Sequence, residues 1–426
     1  MAMQAKLDVP KPTVEPVVLD MDVPAHVPRH LVRDLRVAMG NVPNTLNEPY
    51  DNTRRLLEDD VPPVMYTPFP QAQFQQGAWV LTRYADVLKV YTDAELFSTK
   101  GIASFQILIG ETWPSLPLGV DPPLHGLYRR FLNPHFTAKA VAEMARDIRQ
   151  MCVDMIAEFE QNKGGDFAWD FARVFPVRVF FNLMGFPMTV LEQFLEWEYQ
   201  ILHSRDLDAM ASAVRGTIGY LRDFIAEKEA NPDDTLTSKI VNGTIDGRPL
   251  TEDERIGIIF FLWLGGLDTV ASTLSQMFRR LALDHDLQQR LRENPALIPG
   301  AVEEFLRMQP LVNSTRFLKK DLELHGVQMK AGDLVCCLTA VASFDPLAFP
   351  DPRTFDPERK ANRHVTFASG PHLCLGAHLA RQELNIALEE WLSRIPMFSI
   401  AEGTDMTVVP GLLSVRNLPL VWSSAD

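Results

Sequence analysis

The sequence predicts a mainly α-helical protein with a few short strands. Apolar residues recur at helical spacing over residues 138–159, 169–184, 190–203 and 209–229. A longer apolar helix is predicted from Thr251 to about residue 283. Strand candidates are fewer and shorter, at residues 79–82, 316–318 and 335–338. Long helices with a few short strands between them therefore define the predicted fold class.

Composition narrows the classes of function. The chain has 426 residues, 46% of them hydrophobic, which is enough for a large core. A formal net charge of -14 at pH 7 disfavours nucleic-acid binding. The longest apolar run, residues 256–267, is shorter than the roughly 20 residues of a membrane span, and the N-terminus shows no apolar signal core. We expect a cytoplasmic protein with neither a nucleic-acid nor a membrane partner.

The sequence says less about domain organisation than about secondary structure. Residues 1–43 are rich in Pro, Val and Asp without periodicity, so they are expected to form an extended N-terminal arm. Size statistics alone suggest two or three domains for the whole chain. The four cysteines include the neighbours Cys336 and Cys337 but no C-x-x-C pair, which disfavours disulfide frameworks, zinc sites and iron–sulfur clusters.

The segment FASGPHLCLGAHLARQEL, residues 367–384, carries the strongest chemical signal. Cys374 lies between Gly370 and Gly376, just before a predicted helix whose N-terminal dipole favours a thiolate. Gly370 allows a sharp turn, and Gly376 allows a flat ligand to approach the backbone. Phe367 would shield the sulfur from water. The alternative is a small buried hydrophobic residue, which is the usual role of a lone cysteine.

A second unusual feature lies inside the long predicted helix. Thr251 and Glu254 form a capping-box pattern at its start. Farther along, Gly265-Gly266-Leu267-Asp268-Thr269 places two glycines and an acid in an apolar run, where each glycine costs about 1 kcal/mol relative to Ala. The glycines allow either close helix packing or a local opening for a ligand.

The pattern F-x-x-G-x-H-x-C-x-G, residues 367–376, resembles the haem-binding signature of the cytochrome P-450 haem-thiolate monooxygenases. The resemblance implies one domain over residues 44–426, mainly α with a small β-rich lobe. Haem b would lie between the long oxygen-binding helix and the helix after the cysteine loop, with Cys374 as the axial iron ligand. By the same resemblance, Thr269 would hydrogen-bond iron-bound dioxygen or a water beside it, and Asp268 would relay protons from solvent.

Other residues gain roles from the same resemblance. His125 and Arg129, four residues apart, together with Arg316 and His372, would contact the haem propionates. The E-x-x-R pair of Glu304 and Arg307, with Arg359 in the segment FDPER, would form a buried structural triad. The expected substrate-binding residues come from the loop at residues 102–119, the long helix, residue 312 and a C-terminal hairpin tip: Phe105, Trp113, Phe261, Leu264, Gly265, Val312, Leu412 and Leu413.

Segments such as LGGLDTV and HLCLGAHLARQEL are similar to those of the bacterial camphor hydroxylase branch of the family. We therefore expect a bacterial monooxygenase, a monomer, that hydroxylates a small apolar terpenoid or norisoprenoid with dioxygen. Its electrons would come from a [2Fe–2S] ferredoxin and its reductase. Two alternatives remain, a non-catalytic haem-thiolate sensor or carrier and a peroxide-driven peroxygenase.

Overall fold

Helices make up most of the part of the chain that the computed structural model describes. The described residues are 23–35, 55–69, 76–162, 164–204, 206–404, 408–409, 414–415 and 417–422. The α-helices among them are α1 (Tyr84–Thr92), α2 (Leu124–Leu132), α3 (Ala138–Gln161), α4 (Phe175–Met184), α5 (Leu191–His203), α6 (Leu207–Ala230), α7 (Leu236–Val241), α8 (Glu252–Leu283), α9 (His285–Glu293), α10 (Ile298–Met308), α11 (Thr339–Ala342) and α12 (Ala377–Arg394).

The strands form several small sheets. The strands are β1 (Val64–Thr67), β2 (Ala78–Leu81), β3 (Phe97–Ser98), β4 (Gly164–Asp166), β5 (Thr244–Ile245), β6 (Arg248–Pro249), β7 (Thr315–Leu318), β8 (Leu322–Leu324), β9 (Val327–Met329), β10 (Leu334–Cys337), β11 (Phe398–Ile400), β12 (Val408–Val409), β13 (Ser414–Val415) and β14 (Pro419–Trp422). The largest sheet has the order β1-β2-β10-β7-β3, in which only the β2–β10 pair is parallel.

The main sheet separates two small apolar clusters. Cys336 and Cys337 on β10 are fully buried, and each belongs to a different cluster, because successive side chains of a strand point to opposite faces. Val32 pairs with Tyr66 of β1 as a parallel bridge, so the described residues 23–35 lie along this sheet. The division at residue 43 stays a prediction, since residues 36–54 lie outside the described part.

Helix α8 forms the centre of the larger, helical core. The capping box at its start is confirmed: the Thr251 hydroxyl accepts from the Glu254 N–H, and the Glu254 carboxylate accepts from the Thr251 N–H at 2.8 Å. By length and composition α8 could cross a membrane, but 67% of its most apolar window is buried inside the protein. Helices α4, α6 and α12 pack against it. Its apolar composition is therefore that of a core helix.

The structure changes one helical prediction and decides between the two alternatives for the glycines of the long helix. The region predicted as one helix over residues 169–184 is a π-helix, Phe167–Ala172, followed by α4, because Pro176 starts a new helix at its second position. The long helix is continuous through Gly265–Thr269 rather than opened there. The Thr269 hydroxyl donates to the Gly265 carbonyl at 3.1 Å, a side-chain contact that leaves the helical backbone intact.

Candidate active site

The loop before α12 is built around the backbone of Cys374. The Cys374 N–H donates to the Phe367 carbonyl at 2.9 Å, and the Leu373 N–H donates to the Gly370 carbonyl at 3.1 Å. Gly370 has φ +68°, and a Cβ there would lie 2.7 Å from the Tyr91 carbonyl oxygen. Glycine is therefore required at this turn on two grounds, backbone conformation and space.

Cys374 differs from the other three cysteines. Its side chain is exposed, whereas Cys152, Cys336 and Cys337 are buried. Even so, the protein atoms packed around the thiol raise the pKa of Cys374, and this effect outweighs the Gly376 N–H and the charges of Arg129 and Arg381, which lower it. The Gly376 N–H at the start of α12 thus acts in the direction that the sequence predicts, but the packed protein atoms have the larger effect. A metal ion bound to the sulfur would take the place of the thiol proton.

Basic side chains converge beside this loop. The rings of His125, on α2, and His372 have centroids 4.0 Å apart. His125 is 3% exposed, and its Nε2 atom has no hydrogen-bond partner. Arg129 donates through Nη1 to the Leu373 carbonyl at 2.8 Å. Arg316 on β7 is 4% exposed and lowers the pKa of His372, so it lies close to the same group.

The electrostatics of these residues favour an anionic partner. Burial, together with the neighbouring basic groups, lowers the pKa of His125 to about 4 and that of His372 to about 3. Both imidazoles are therefore neutral at pH 7, and each keeps one N–H donor. Asp121 is the acid beside them, and its carboxylate already accepts from the Ser98 hydroxyl at 2.7 Å and the Thr99 N–H at 3.0 Å.

Gly265 and Gly266 of α8 have different surroundings. A Cβ on Gly266 would lie 2.9 Å from the Phe180 ring of α4, so Gly266 allows close helix packing. A Cβ on Gly265 would meet nothing within 4 Å, and Gly265 is exposed in the middle of a buried helix. The helix therefore presents an open face at Gly265. Gly376 in the cysteine loop has the same open surroundings.

Asp268 is held by contacts that the sequence did not predict. It accepts from the Ser272 hydroxyl at 3.1 Å, and its Oδ2 lies 2.9 Å from Nε2 of His203, the last residue of α5. Glu198, also on α5, belongs to the same group. A sequence signal for Glu198 existed: Leu191, Leu195 and Ile201 put it on the apolar face of α5.

Aromatic side chains cover α8 near its exposed face. The Trp113 ring lies 5.0 Å from the Phe260 ring, and the Phe105 ring lies 6.3 Å from the Phe261 ring. Trp113 is 1% exposed, and its indole N–H has no partner. The sequence prediction named Phe261 but missed Phe260.

The remaining predicted substrate-binding residues in the described part of the chain differ in exposure. Leu264 is 8% exposed, and Val312 is 39% exposed. Leu412 and Leu413 lie outside the described residues.

The predicted triad joins α10 to the segment at residues 355–362. Glu304 accepts from Arg307 Nε at 2.7 Å and Nη2 at 2.9 Å, and from Arg359 Nε at 3.0 Å. The side chains of Glu304 and Arg307 are 0% exposed, and that of Arg359 is 10% exposed. The Asp356 N–H and the Asn362 amide also donate to Glu304. The segment at residues 355–362 is thereby fixed to α10.

These features together fit one kind of bound group. An accessible thiol suits a metal that binds sulfur, and a buried donor without a partner among basic residues suits carboxylates. Gly265 and Gly376 leave space for a flat body. Haem, an iron porphyrin with two propionates, has all three properties.

Comparison with known proteins gives the family. Residues 174–410 match the family described as cytochrome P450. The chain is 36% identical over 407 residues to the probable cytochrome P450 127A1 of Sinorhizobium fredii, covering 94% of this chain and 97% of that protein. It is 31% identical over 367 residues to the steroid C26-monooxygenase of Mycobacterium tuberculosis, covering 83% and 97%. The crystal structure of CYP101J2 has a TM-score of 0.82 at 32% identity, covering 95% of this chain and 100% of its own.

The matches confirm the predicted fold class, the haem cofactor and the enzymatic class, and they set aside the non-catalytic alternative. With a relative at 36% identity over nearly the whole chain, the protein belongs to the cytochrome P450 family of haem-dependent monooxygenases.

Proposed function

We propose that this P450 hydroxylates a small apolar terpenoid or norisoprenoid, camphor- or ionone-like, with dioxygen and electrons from a [2Fe–2S] ferredoxin and its reductase. The observation that carries the proposal is the aromatic surface formed by Phe105 and Trp113 against Phe260 and Phe261 of α8. When bound, haem supplies the activation of dioxygen and the transfer of one oxygen atom to carbon. The protein supplies binding, orientation and protons.

The residues around the cysteine loop would hold the haem. Cys374 Sγ would ligate the iron, which removes the thiol proton that burial otherwise favours. His125, Arg129, Arg316 and His372 would donate to the propionates. The unpartnered Nε2 of buried His125 supports this, because a buried donor without an acceptor costs about 1–3 kcal/mol. Phe367 would shield the sulfur from water.

Asp268 and Thr269 would move protons. The Thr269 hydroxyl donates to the Gly265 carbonyl at 3.1 Å and would turn from that contact toward the reacting oxygen. Asp268 lines a cavity of about 510 Å³. Trp169 and Tyr199 also line this cavity and are 55% and 39% exposed, so the cavity reaches solvent and water can bring protons to the Asp268 carboxylate. This pair favours dioxygen over peroxide as the oxidant. Product formed from hydrogen peroxide alone, at the rate reached with a ferredoxin system, would favour the peroxygenase alternative.

The apolar surface selects the substrate class. Among the predicted lining residues in the described part of the chain there is no cation, so a buried carboxylate would lack a counter-ion. Apolar burial stabilises a ligand by roughly 25 cal/mol per Å². The unpartnered Trp113 N–H would orient one carbonyl or ether oxygen. These properties favour monoterpenoids and ionone-like ketones over fatty acids.

A titration of the ferric enzyme tests the substrate class. Camphor and β-ionone should shift the Soret band toward high spin at lower concentrations than lauric acid. Trp113→Phe should weaken camphor binding yet keep that of a hydrocarbon analogue such as camphane. Trp263→Phe is the matched control, since its N–H is also buried without a partner but lies in the aromatic cluster with Phe194. A larger shift with lauric acid than with any terpenoid would exclude the proposed class.

The electron donor would dock on the cysteine side. Five basic residues fall in segments that the family resemblance places around the cysteine side of the haem: Arg129, Arg130, Lys360, Arg363 and Arg381. Arg381 is a weak member, because its Nε and Nη2 both donate to Glu303, at 2.6 and 3.0 Å. Arg130, Lys360 and Arg363 are exposed and remain available to an acidic ferredoxin.

Charge reversal tests this surface. Lys360→Glu and Arg363→Glu should slow reduction by a [2Fe–2S] ferredoxin severalfold at low salt and lose the effect at high salt. Arg146→Glu on α3, whose side chain is 92% exposed, is the control. Equal reduction rates in all three variants would refute the patch.

We also propose that the protein is a cytoplasmic monomer. The burial of most of α8 inside the helical core supports this, since that helix is already covered by protein. Size-exclusion chromatography with light scattering tests the monomer, and cell fractionation tests the location.

A further inference from the structure

Glu198, His203 and Asp268 bring three ligand atoms together between α5 and α8. One ligand atom from each residue lies within 4.8 Å of the other two. His203 Nε2 and Asp268 Oδ2 are the nearest pair, at 2.9 Å. In the described part of the chain, this is the one group in which three residues of metal-binding type meet this closely.

Burial makes this group unusual. Glu198 is 4% exposed, and its Oε1 atom has no hydrogen-bond partner. The side chains of His203 and Asp268 are 6% and 12% exposed. A buried carboxylate oxygen without a partner is costly unless a proton or a cation joins it. Consistent with this, burial and the Asp268 charge raise the pKa of Glu198 to about 8.

The surroundings attract cations. Glu192 and Glu196 line the same 510 Å³ cavity, so four carboxylates face Arg173 and His203. The Arg173 guanidinium is engaged elsewhere: it stacks over the Trp169 ring at 4.3 Å and donates to the Leu195 carbonyl at 3.1 Å. The cavity thus offers an acidic approach to the three ligand atoms.

We propose that Glu198, His203 and Asp268 bind a divalent transition-metal ion of the Zn²⁺ class. One imidazole and two carboxylates are a suitable ligand set for such an ion, and water from the cavity would fill the fourth position. In a tetrahedral zinc site with ligands at about 2.0–2.2 Å, the ligand atoms are about 3.3–3.6 Å apart, so the pair at 2.9 Å would separate slightly and any pair near the 4.8 Å limit would close by about 1 Å. Ser272 already holds the other oxygen of Asp268 in place.

Binding exchanges protons for the metal. The ion takes the place of the proton between His203 Nε2 and Asp268 Oδ2, so the neutral imidazole carries its proton on Nδ1, and the proton on Glu198 is released to solvent. The bound ion links the end of α5 to the middle of α8. On the proposed function, which assigns Asp268 to proton delivery, it also removes that carboxylate from turnover. Zinc would then act as an inhibitor at a site distinct from the haem.

Metal binding is tested first, on the haem-saturated enzyme after dialysis against a chelator. Calorimetric titration with ZnCl₂ should give one ion per chain. Glu198→Gln and His203→Gln should each weaken binding by at least tenfold, since even partners of metal ligands contribute about that much. His26→Gln is the control, because His26 forms a similar pair with Asp333 at 2.8 Å but belongs to no group of three. X-ray absorption at the zinc edge should show nitrogen and oxygen ligands without sulfur. Unchanged zinc affinity in both variants, with their haem spectra intact, overturns the proposal.

Turnover is tested second, with a surrogate ferredoxin, its reductase and NADPH. Zinc should slow dioxygen-dependent NADPH consumption in the wild type and in His26→Gln, but not in His203→Gln, at the same concentration. Binding at the site without any effect on consumption leaves the metal site standing and contradicts the proton role of Asp268. The two proposals therefore fail separately.

Discussion

Glu304 offers the most direct test of how this fold is stabilised. Its buried carboxylate accepts five hydrogen bonds, from Arg307 (two), Arg359, Asp356 and Asn362. Glu304→Gln keeps the shape but leaves two buried guanidinium groups without their counter-ion. Breaking a buried ion pair in this way costs about 3–5 kcal/mol.

Neighbouring Glu303 is the matched control. It lies on the same helix and binds Arg381 and His364, but its side chain is 29% exposed, so solvent screens these pairs in part. Glu303→Gln should therefore cost less than Glu304→Gln, about 1–2 kcal/mol. The same substitution one residue apart thus separates burial from the mere presence of an ion pair.

The expected difference can be measured by thermal unfolding. At about 2.1 cal/mol/K per residue, a chain of 426 residues has an unfolding entropy of about 0.9 kcal/mol/K. Glu304→Gln should then lower Tm by about 3–6 °C, and Glu303→Gln by about 1–2 °C. Far-UV circular dichroism follows the helices, and the Soret band follows haem loss. Equal Tm changes in the two variants would refute the argument that burial makes the Glu304 network strong.

Three further predictions concern ligation, proton delivery and acid stability. Cys374→His should move the Soret band of the ferrous–CO complex from the red-shifted thiolate position to the globin-like position; retention of the thiolate band would exclude Cys374 as the ligand. Thr269→Ala should keep NADPH consumption fast but divert much of it to peroxide, whereas Asp268→Asn should slow consumption itself; wild-type rate and coupling in both would contradict the proton roles. The Arg248 guanidinium and the Tyr128 hydroxyl lower the pKa of Glu254 from its usual 4.5 to about 2, so its contribution to stability is present above pH 4.5 and is lost as the pH falls toward 2. In Glu254→Gln, the free energy of unfolding should depend less on pH between about 4.5 and 2, and an unchanged pH dependence would show that Glu254 does not cause it.

Much of the helical architecture could be read from local patterns. Helices α3, α5 and α6 begin and end within two residues of the predicted segments, because their apolar faces recur at the helical period. The capping box at Thr251 and Glu254 is also local and was correctly placed. The π-helix before α4 was missed, since periodicity alone does not distinguish a wider turn from an α-helix.

Contacts between residues far apart in the sequence could not be predicted from local patterns. Glu198 and His203 come to Asp268 only because α5 ends beside the middle of α8, 65 residues farther along the chain from His203. The pairing of Arg381 with Glu303, 78 residues apart, likewise removes a charge that the sequence assigned to a docking patch. Such pairings depend on how helices cross, which no local pattern specifies.

By itself, the sequence determined the family, the mainly helical fold with its small β-rich part, and the chemistry of the cysteine loop, because fixed spacings of Phe, Gly, His and Cys carry that information locally. Only the tertiary structure decided how the surroundings of the ionisable groups shift their pKa values. The Cys374 pKa is raised by the protein packed around it, the imidazoles of His125 and His372 are kept neutral by burial, and Glu198 is left without a partner for one oxygen. Desolvation and charge coupling depend on distances in space, and those are set when the helices pack.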